Sequence, residues 1–169
     1  MAKNAFLAIL LFFGCLINHR AVAQNSLEDG YALFLYNFAK YSSWPDDITA
    51  FEFVVYGDPK VTKSLKTIAL NKKINGKAIK AKDYQSEEDF NGAQIIFVSK
   101  QKSAEFGMIL KKTEGKPIMV VTEKPGMEKQ GACVSFLLDS QNRLKFRLNE
   151  NALHQNRLKM ANSLKTMAE

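Results

Sequence analysis

Histidine and cysteine are scarce in this sequence, which has two of each among its 169 residues. His19 and Cys15 both lie within the first 23 residues, so His154 is the one imidazole in the rest of the chain. It lies among asparagine and glutamine residues on a predicted exposed helix face. A Ser-His-Asp or Cys-His arrangement would have to use this solvated side chain, and zinc usually needs more histidine or cysteine ligands. We therefore predict no enzyme activity, no metal and no cofactor.

Loops that hold phosphate or calcium are also missing. Gly57-Asp58-Pro59 lies between a predicted strand and a predicted helix, but it lacks the glycine spacing of nucleotide-binding loops, and Asp58 would repel phosphate. No Asp-rich segment has the ligand spacing of a calcium loop. The acidic run Glu87-Glu88-Asp89 is typical of a solvated surface and is assigned no role.

Concentrated positive charge is absent as well. The formal net charge is +7, but the lysines are scattered, and those between residues 60 and 82 do not cluster with stacking aromatic residues. Nucleic-acid binding would need such a cluster on one element. We therefore predict no nucleic-acid partner.

The first 23 residues have the pattern of a secretory signal peptide. Lys3 precedes an apolar run from Ala5 to Ile17, and Ala21-Val22-Ala23 supplies small residues at cleavage spacing. The run is short for a membrane span. Lipidation at Cys15 is the less favoured alternative, because Phe12 and Phe13 fit a lipoprotein cleavage box poorly. Removal of residues 1–23 leaves 146 residues, enough for one domain, and lowers the net charge to +5.

After this removal Cys133 is the remaining cysteine, so a disulfide within the chain is not expected. It lies inside an apolar run. The sequence favours a buried small hydrophobic residue over a redox-active or intermolecular thiol.

The apolar pattern alternates between helices and strands. A stripe at helical spacing predicts a first helix from Leu27 to Ser42, which must end before Pro45. The stripe consists of Leu27, Tyr31, Phe34, Leu35, Phe38 and Tyr41. Strands are predicted at 51–56, 78–81, 94–98 and from Pro117, with helices from Pro59 and over 102–112.

The last third departs from this alternation. Two strands flank the polar turn Asp139-Ser140-Gln141-Asn142, and Asn149 can cap a closing helix that runs through Leu164. We therefore predict an α/β fold. It is a single three-layer domain whose central sheet has about six mostly parallel strands and ends in an antiparallel hairpin and a C-terminal helix.

Five segments occur in the order typical of one family of exported proteins. They are FLYNFAKYSSWP from Phe34, VVYGDP from Val54, IIFVS from Ile95, GKPIMVVTE from Gly115 and KFRLNENALHQNRLKMANSLKTMA from Lys145. In these segments the chain resembles the YfiR-like periplasmic proteins over nearly all of residues 24–169. It departs from them at Gly131-Ala132-Cys133-Val134, where members often have Gly-Gly-Met-Ile, and in lacking a second cysteine for the disulfides of some members.

The resemblance implies a periplasmic regulator that binds other proteins. Known members repress a membrane-bound YfiN-type diguanylate cyclase through its periplasmic portion, and an OmpA-like lipoprotein draws the repressor away, which controls cyclic di-GMP and biofilm formation. The expected partner here is the extracytoplasmic domain of such a cyclase or of a sensor kinase, with a homodimer left open. The alternative is a small-molecule-binding module that serves a sensor or transport system, with its pocket beside the carboxyl ends of the parallel strands.

Aromatic and aliphatic residues off the stripe of the first helix are the candidate partner-binding residues. Leu33 and Tyr36 lie outside the stripe, and Trp44 follows the helix. Apolar side chains exposed in one patch mark an interface. We therefore predict that Leu33, Tyr36 and Trp44 contact a partner, although Trp44 packed under its own loop is an equal alternative.

Overall fold

The computed structural model describes residues 26–45 and 48–169. The predicted signal peptide and Cys15 lie outside these residues. None of the helices in the described ranges is long and apolar enough to cross a membrane.

Helices and strands alternate along the chain as the sequence predicts. The α-helices are α1 (Leu27–Lys40), α2 (Pro59–Asn71), α3 (Phe106–Thr113), α4 (Glu150–Gln155) and α5 (Asn162–Lys165). The strands are β1 (Ser42–Ser43), β2 (Ala50–Tyr56), β3 (Ala78–Asp83), β4 (Ile95–Val98), β5 (Met119–Thr122), β6 (Val134–Leu138), β7 (Leu144–Leu148) and β8 (Lys159–Met160). Short 3₁₀ helices span Glu87–Phe90, Lys100–Glu105 and Met127–Gln130.

The central sheet has the predicted mixed character. Over the described ranges, its six strands lie in the order β3-β2-β4-β5-β6-β7, and all pairs are parallel except β6 with β7. The hairpin turns at 139–142, where Asn142 has a φ of 56°. Asn tolerates this left-handed conformation better than most residues. The predicted α/β class with an antiparallel closing hairpin is confirmed.

Both faces of the sheet are covered, which gives three layers. Because successive strand residues point to opposite faces, Phe53 and Val55 join the core under α1 and α2, whereas Val54 joins the core under α3. This explains why the central strands read as continuous apolar runs.

Helix α1 begins at a capping box and ends earlier than predicted. The amide of Asp29 donates to Ser26 Oγ over 3.2 Å, and the Ser26 amide donates to Asp29 Oδ2 over 3.1 Å. The predicted end at Ser42 is wrong by two residues. Ser42 and Ser43 instead pair with β8, a contact with a distant segment that local spacing does not reveal.

The predicted closing helix is interrupted. The Ala152 amide donates to Asn149 Oδ1 over 2.9 Å, so the predicted cap is confirmed. The helix then ends at Gln155, because Arg157 adopts a φ of 56° and the Leu158 amide bonds back to Leu153 O over 2.8 Å. This bond closes the helix in the manner of a Schellman motif. The prediction of one continuous helix from Asn149 to Leu164 is therefore wrong, because β8 and α5 occupy its second half.

Candidate partner-binding surfaces

The carboxyl ends of β2 and β4 mark the point where the strand order reverses, a frequent ligand site in such sheets. In this protein, side chains of the chain itself fill the crevice between these strand ends. Gly57 has a φ of 96°, and a Cβ atom on it would lie 2.3 Å from Ser99 Oγ and 2.5 Å from Lys102 Cγ. The Lys102 ammonium lies 5.1 Å from the centre of the Tyr56 ring. A ligand would have to displace these side chains.

At the same carboxyl ends of the strands, α1 contacts the loop after β5. The Tyr31 hydroxyl lies 3.5 Å from Glu123 Oε1, and the amide of Lys100 donates to Glu123 Oε2 over 2.7 Å. Burial, with the nearby Glu123 carboxylate, raises the pKa of Tyr31. The phenol therefore stays protonated and serves as a structural donor.

Histidine and carboxylate side chains are dispersed. His154 is exposed on α4, as predicted. Across residues 26–45 and 48–169, no group of three or more His, Cys, Asp or Glu residues could hold a metal ion.

Tyr36 is not on the surface, so the prediction of its exposure is wrong. Its side chain is 7% exposed and lies beside the end of α2. The hydroxyl is 3.5 Å from Lys73 O, and the Lys72 ammonium lies 5.3 Å from the ring centre. The neighbouring helix covers a position that lies off the stripe facing the sheet.

Leu33 is exposed as predicted, with 48% of its surface accessible on the outer side of α1. Trp44 is partly buried, and its ring meets Phe51 edge-on with centroids 5.5 Å apart. Because Tyr36 is buried, the three candidates do not form one exposed patch. A partner-binding role for Leu33 and Trp44 remains a prediction.

Trp44 also lines a cavity at the amino ends of the parallel strands, opposite the crevice described above. The cavity has a volume of about 410 Å³ and lies where β2, β4 and β5 begin, between Ala50, Gln94 and Ile118. Trp44 Nε1 is buried without a hydrogen-bond partner among the described residues. The indole thus both packs on its own sheet and borders open space.

A further surface lies along the outer edge of β7 and was missed in the sequence. We call it the edge groove. It has a volume of about 500 Å³, and its apolar lining comes from Phe34, Leu144, Phe146, Met167 and Ala168. The alternation of Leu144 and Phe146 with basic residues indicated a half-exposed strand. It did not indicate that β7 would be the last strand of the sheet.

Cys133 is fully buried beneath the start of β6, as the sequence favoured. Its Sγ lies 3.8 Å from Asn156 Nδ2. Burial raises the pKa of the Cys133 thiol to about 11.

We predict that Cys133 resists alkylation in the native protein. With a pKa of about 11, about one thiol in a thousand is ionised at pH 8, and burial blocks access to it. In the chain from residue 24 onward, which lacks Cys15, iodoacetamide at pH 8 should leave the native protein unmodified and label the urea-unfolded protein fully, as measured by intact mass. Rapid native labelling would contradict the burial.

A YfiR/HmsC-like family model matches residues 30–169. The chain therefore belongs to the YfiR/HmsC-like family, and the resemblance drawn from its motifs is confirmed. A comparison with curated proteins found no match.

Proposed function

We propose that this chain is a periplasmic regulatory protein that binds the extracytoplasmic domain of a membrane signalling protein and represses it, with a diguanylate cyclase as the target. The observation that carries the proposal is the family match over residues 30–169. Through cyclic di-GMP, the same action would control biofilm formation. An OmpA-like lipoprotein is the proposed antagonist, and a sensor kinase is the alternative target.

The surfaces of the molecule support binding over ligand capture. The crevice at the carboxyl ends of β2 and β4 is filled by Ser99 and Lys102, which disfavours the small-molecule module with a pocket at that place. Exposed apolar side chains, by contrast, occur on α1 at Leu33 and at the end of β6 at Leu138, which are 48% and 46% accessible. Such side chains can contact another protein.

Repression requires that the protein bind the active and inactive states of its target with different affinities. A regulator that bound the active and inactive states of its target equally would shift nothing, however tightly it bound. The protein must therefore contact a part of the target that differs between the two states.

Deletion of the gene is expected to raise cyclic di-GMP by at least about fivefold, the lower end of ordinary allosteric coupling. Extraction and mass spectrometry of the nucleotide measure this. Expression of the wild-type chain should reverse the rise. An unchanged nucleotide level would remove the cyclase from the proposal.

Expression of variants in the same deletion strain tests whether Leu33 contributes to binding of the target. Leu33→Ser should restore repression incompletely, whereas Leu70→Ser should restore it fully, because Leu70 is also an exposed leucine, 82% accessible, but lies on α2. Both variants must accumulate to the wild-type level. Equal repression by the two would leave Leu33 without a part in binding.

A further inference from the structure

Among residues 26–45 and 48–169, no strand lies beside part of the outer edge of β7. Phe146 O accepts a bond from the Glu169 amide over 3.0 Å, so this carbonyl points away from β6. Because outward and inward groups alternate along an antiparallel strand, the N–H and C=O of Leu144 also point outward. No hydrogen bond within the described ranges engages them.

The opposite edge of the sheet is protected. On β3, the Lys80 ammonium lies 3.3 Å from a Glu52 oxygen and the Lys82 ammonium lies 2.8 Å from an Asp89 oxygen. Charged side chains along an edge strand discourage the addition of another strand. On β7, by contrast, the residue whose backbone groups are open to a new strand is Leu144, which carries no charge.

The edge groove lies directly beside the open backbone groups. Met167 is 55% exposed, and Leu144 and Phe34 are partly buried in the groove wall. A Cβ atom on Gly30 of α1 would lie 3.1 Å from Leu144 Cδ2, so the helix stays close over this strand. At the same end, Leu138 is the cross-strand neighbour of Leu144 and is 46% exposed. An added strand would therefore find both backbone partners and apolar contacts.

The other face of β7 is basic. Lys145 and Arg147 alternate with the apolar groove residues Leu144 and Phe146, so their side chains leave the strand on the opposite face of the sheet. Lys145 also borders the edge groove. Neither Lys145 nor Arg147 has an acidic oxygen within 4.0 Å in the described part of the chain, whereas Arg143 Nε lies 2.7 Å from Asp139 Oδ2. Lys145 and Arg147 are available to a negatively charged partner.

These charges decide between two occupants of the edge. If β7 paired antiparallel with β7 of a second copy about the open position Leu144, Lys145 would face Arg143. A parallel pair would align like charges in the same way. Like charges on facing strand positions are destabilising. A strand with acidic residues on that face would be favoured instead.

We propose that the outer edge of β7 binds an extended segment of the partner protein. In that segment apolar residues enter the edge groove and alternate with Asp or Glu residues that face Lys145 and Arg147, and the segment displaces the Glu169 amide from Phe146 O in order to reach Arg147. Backbone pairing at Leu144 gives affinity, and the alternating side chains give specificity. This inference rests on the proposed function only in that the chain acts by binding another protein.

The probe is a pool of decapeptides in which Val, Ile or Phe alternates with Asp or Glu. We expect the pool to slow hydrogen exchange at the Leu144 amide and to shift the Leu144 and Met167 resonances of the wild-type chain. A pool with Lys in place of the acidic residues should bind about tenfold more weakly. The variant Lys145→Glu/Arg147→Glu should prefer the Lys pool. The control variant Lys63→Glu/Lys66→Glu has the same net charge but is changed on α2, and it should bind as the wild type does.

Each other result overturns the assignment. Absence of protection at Leu144 would show that the edge does not accept a strand, and equal binding of the two pools would exclude an acidic partner. A dimer that forms without peptide and is lost in Leu144→Pro would identify a second copy as the occupant. The peptide test is independent of the cyclase, so an unchanged cyclic di-GMP level in the deletion strain would leave it standing.

Discussion

Replacing Phe38 with alanine is expected to lower the free energy of unfolding by about 3 to 5 kcal/mol. The Phe38 side chain is fully buried between α1 and the sheet. Its ring centre lies 5.0 Å from that of Phe146, nearly perpendicular to it, and 6.0 Å from that of Phe136. Alanine would lose the transfer energy of the ring, leave a cavity and break these aromatic contacts and a third one, to Phe34.

Urea denaturation followed by circular dichroism measures this loss, and Tyr41→Ala is the matched control. Tyr41 directly follows α1, but 43% of its surface is exposed, so its truncation should cost less than about 1 kcal/mol. If the two variants lost equal stability, α1 would not present Phe38 to the sheet.

The contrast between Phe38 and Tyr41 shows where the helical stripe predicts burial correctly. Tyr31, Leu35 and Phe38 follow the spacing and are buried in the middle of α1. Leu27 and Tyr41 follow the same spacing but are 41% and 43% exposed. Spacing gives the direction of a side chain around the helix, but it cannot show where along the helix the covering sheet ends.

Burial of Tyr36 illustrates a second limit. Its position lies off the stripe, and a helix packed only on a sheet would expose it. In the fold, α2 runs beside α1 and brings Lys72 and Lys73 to the ring. The apolar pattern of one helix carries no information about a second helix at its side, so this candidate site residue could not be placed from sequence.

The two candidate surfaces were predicted to different degrees. The exposure of Leu33 follows from helical geometry alone. The edge groove depends on the strand order, because alternating Leu144 and Phe146 would look the same in a strand paired on both sides. It also depends on the segment after α5, where the Glu169 amide reaches Phe146. These are contacts between distant parts of the chain, as is the pairing of β1 with β8.

Gly57→Ala is expected to lower the free energy of unfolding by about 2 to 4 kcal/mol, from backbone strain and overpacking together. The φ of 96° disfavours any side chain, and the new Cβ would meet Ser99 Oγ at 2.3 Å and Lys102 Cγ at 2.5 Å. Ser99 is 98% buried, since its accessible fraction is 2%, and therefore has little room to move. The glycine is required because the loop after β2 and the loop after β4 approach closely at this point.

Gly92→Ala separates the two causes. Gly92 has a similar φ of 84°, but no atom of the described residues lies within 4 Å of its Cβ position. Alanine there should therefore cost only the backbone strain, about 1 kcal/mol. The combined change Gly57→Ala/Ser99→Ala should recover part of the loss of Gly57→Ala, because it removes the hydroxyl nearest to the new methyl group. The stability of all three variants is measured from their urea denaturation midpoints, provided that the slope of the unfolding free energy against urea concentration stays constant. Equal losses for Gly57→Ala and Gly92→Ala, with no recovery in the double variant, would mean that Ser99 and Lys102 do not fill the crevice, and a ligand could then enter at the carboxyl ends of β2 and β4.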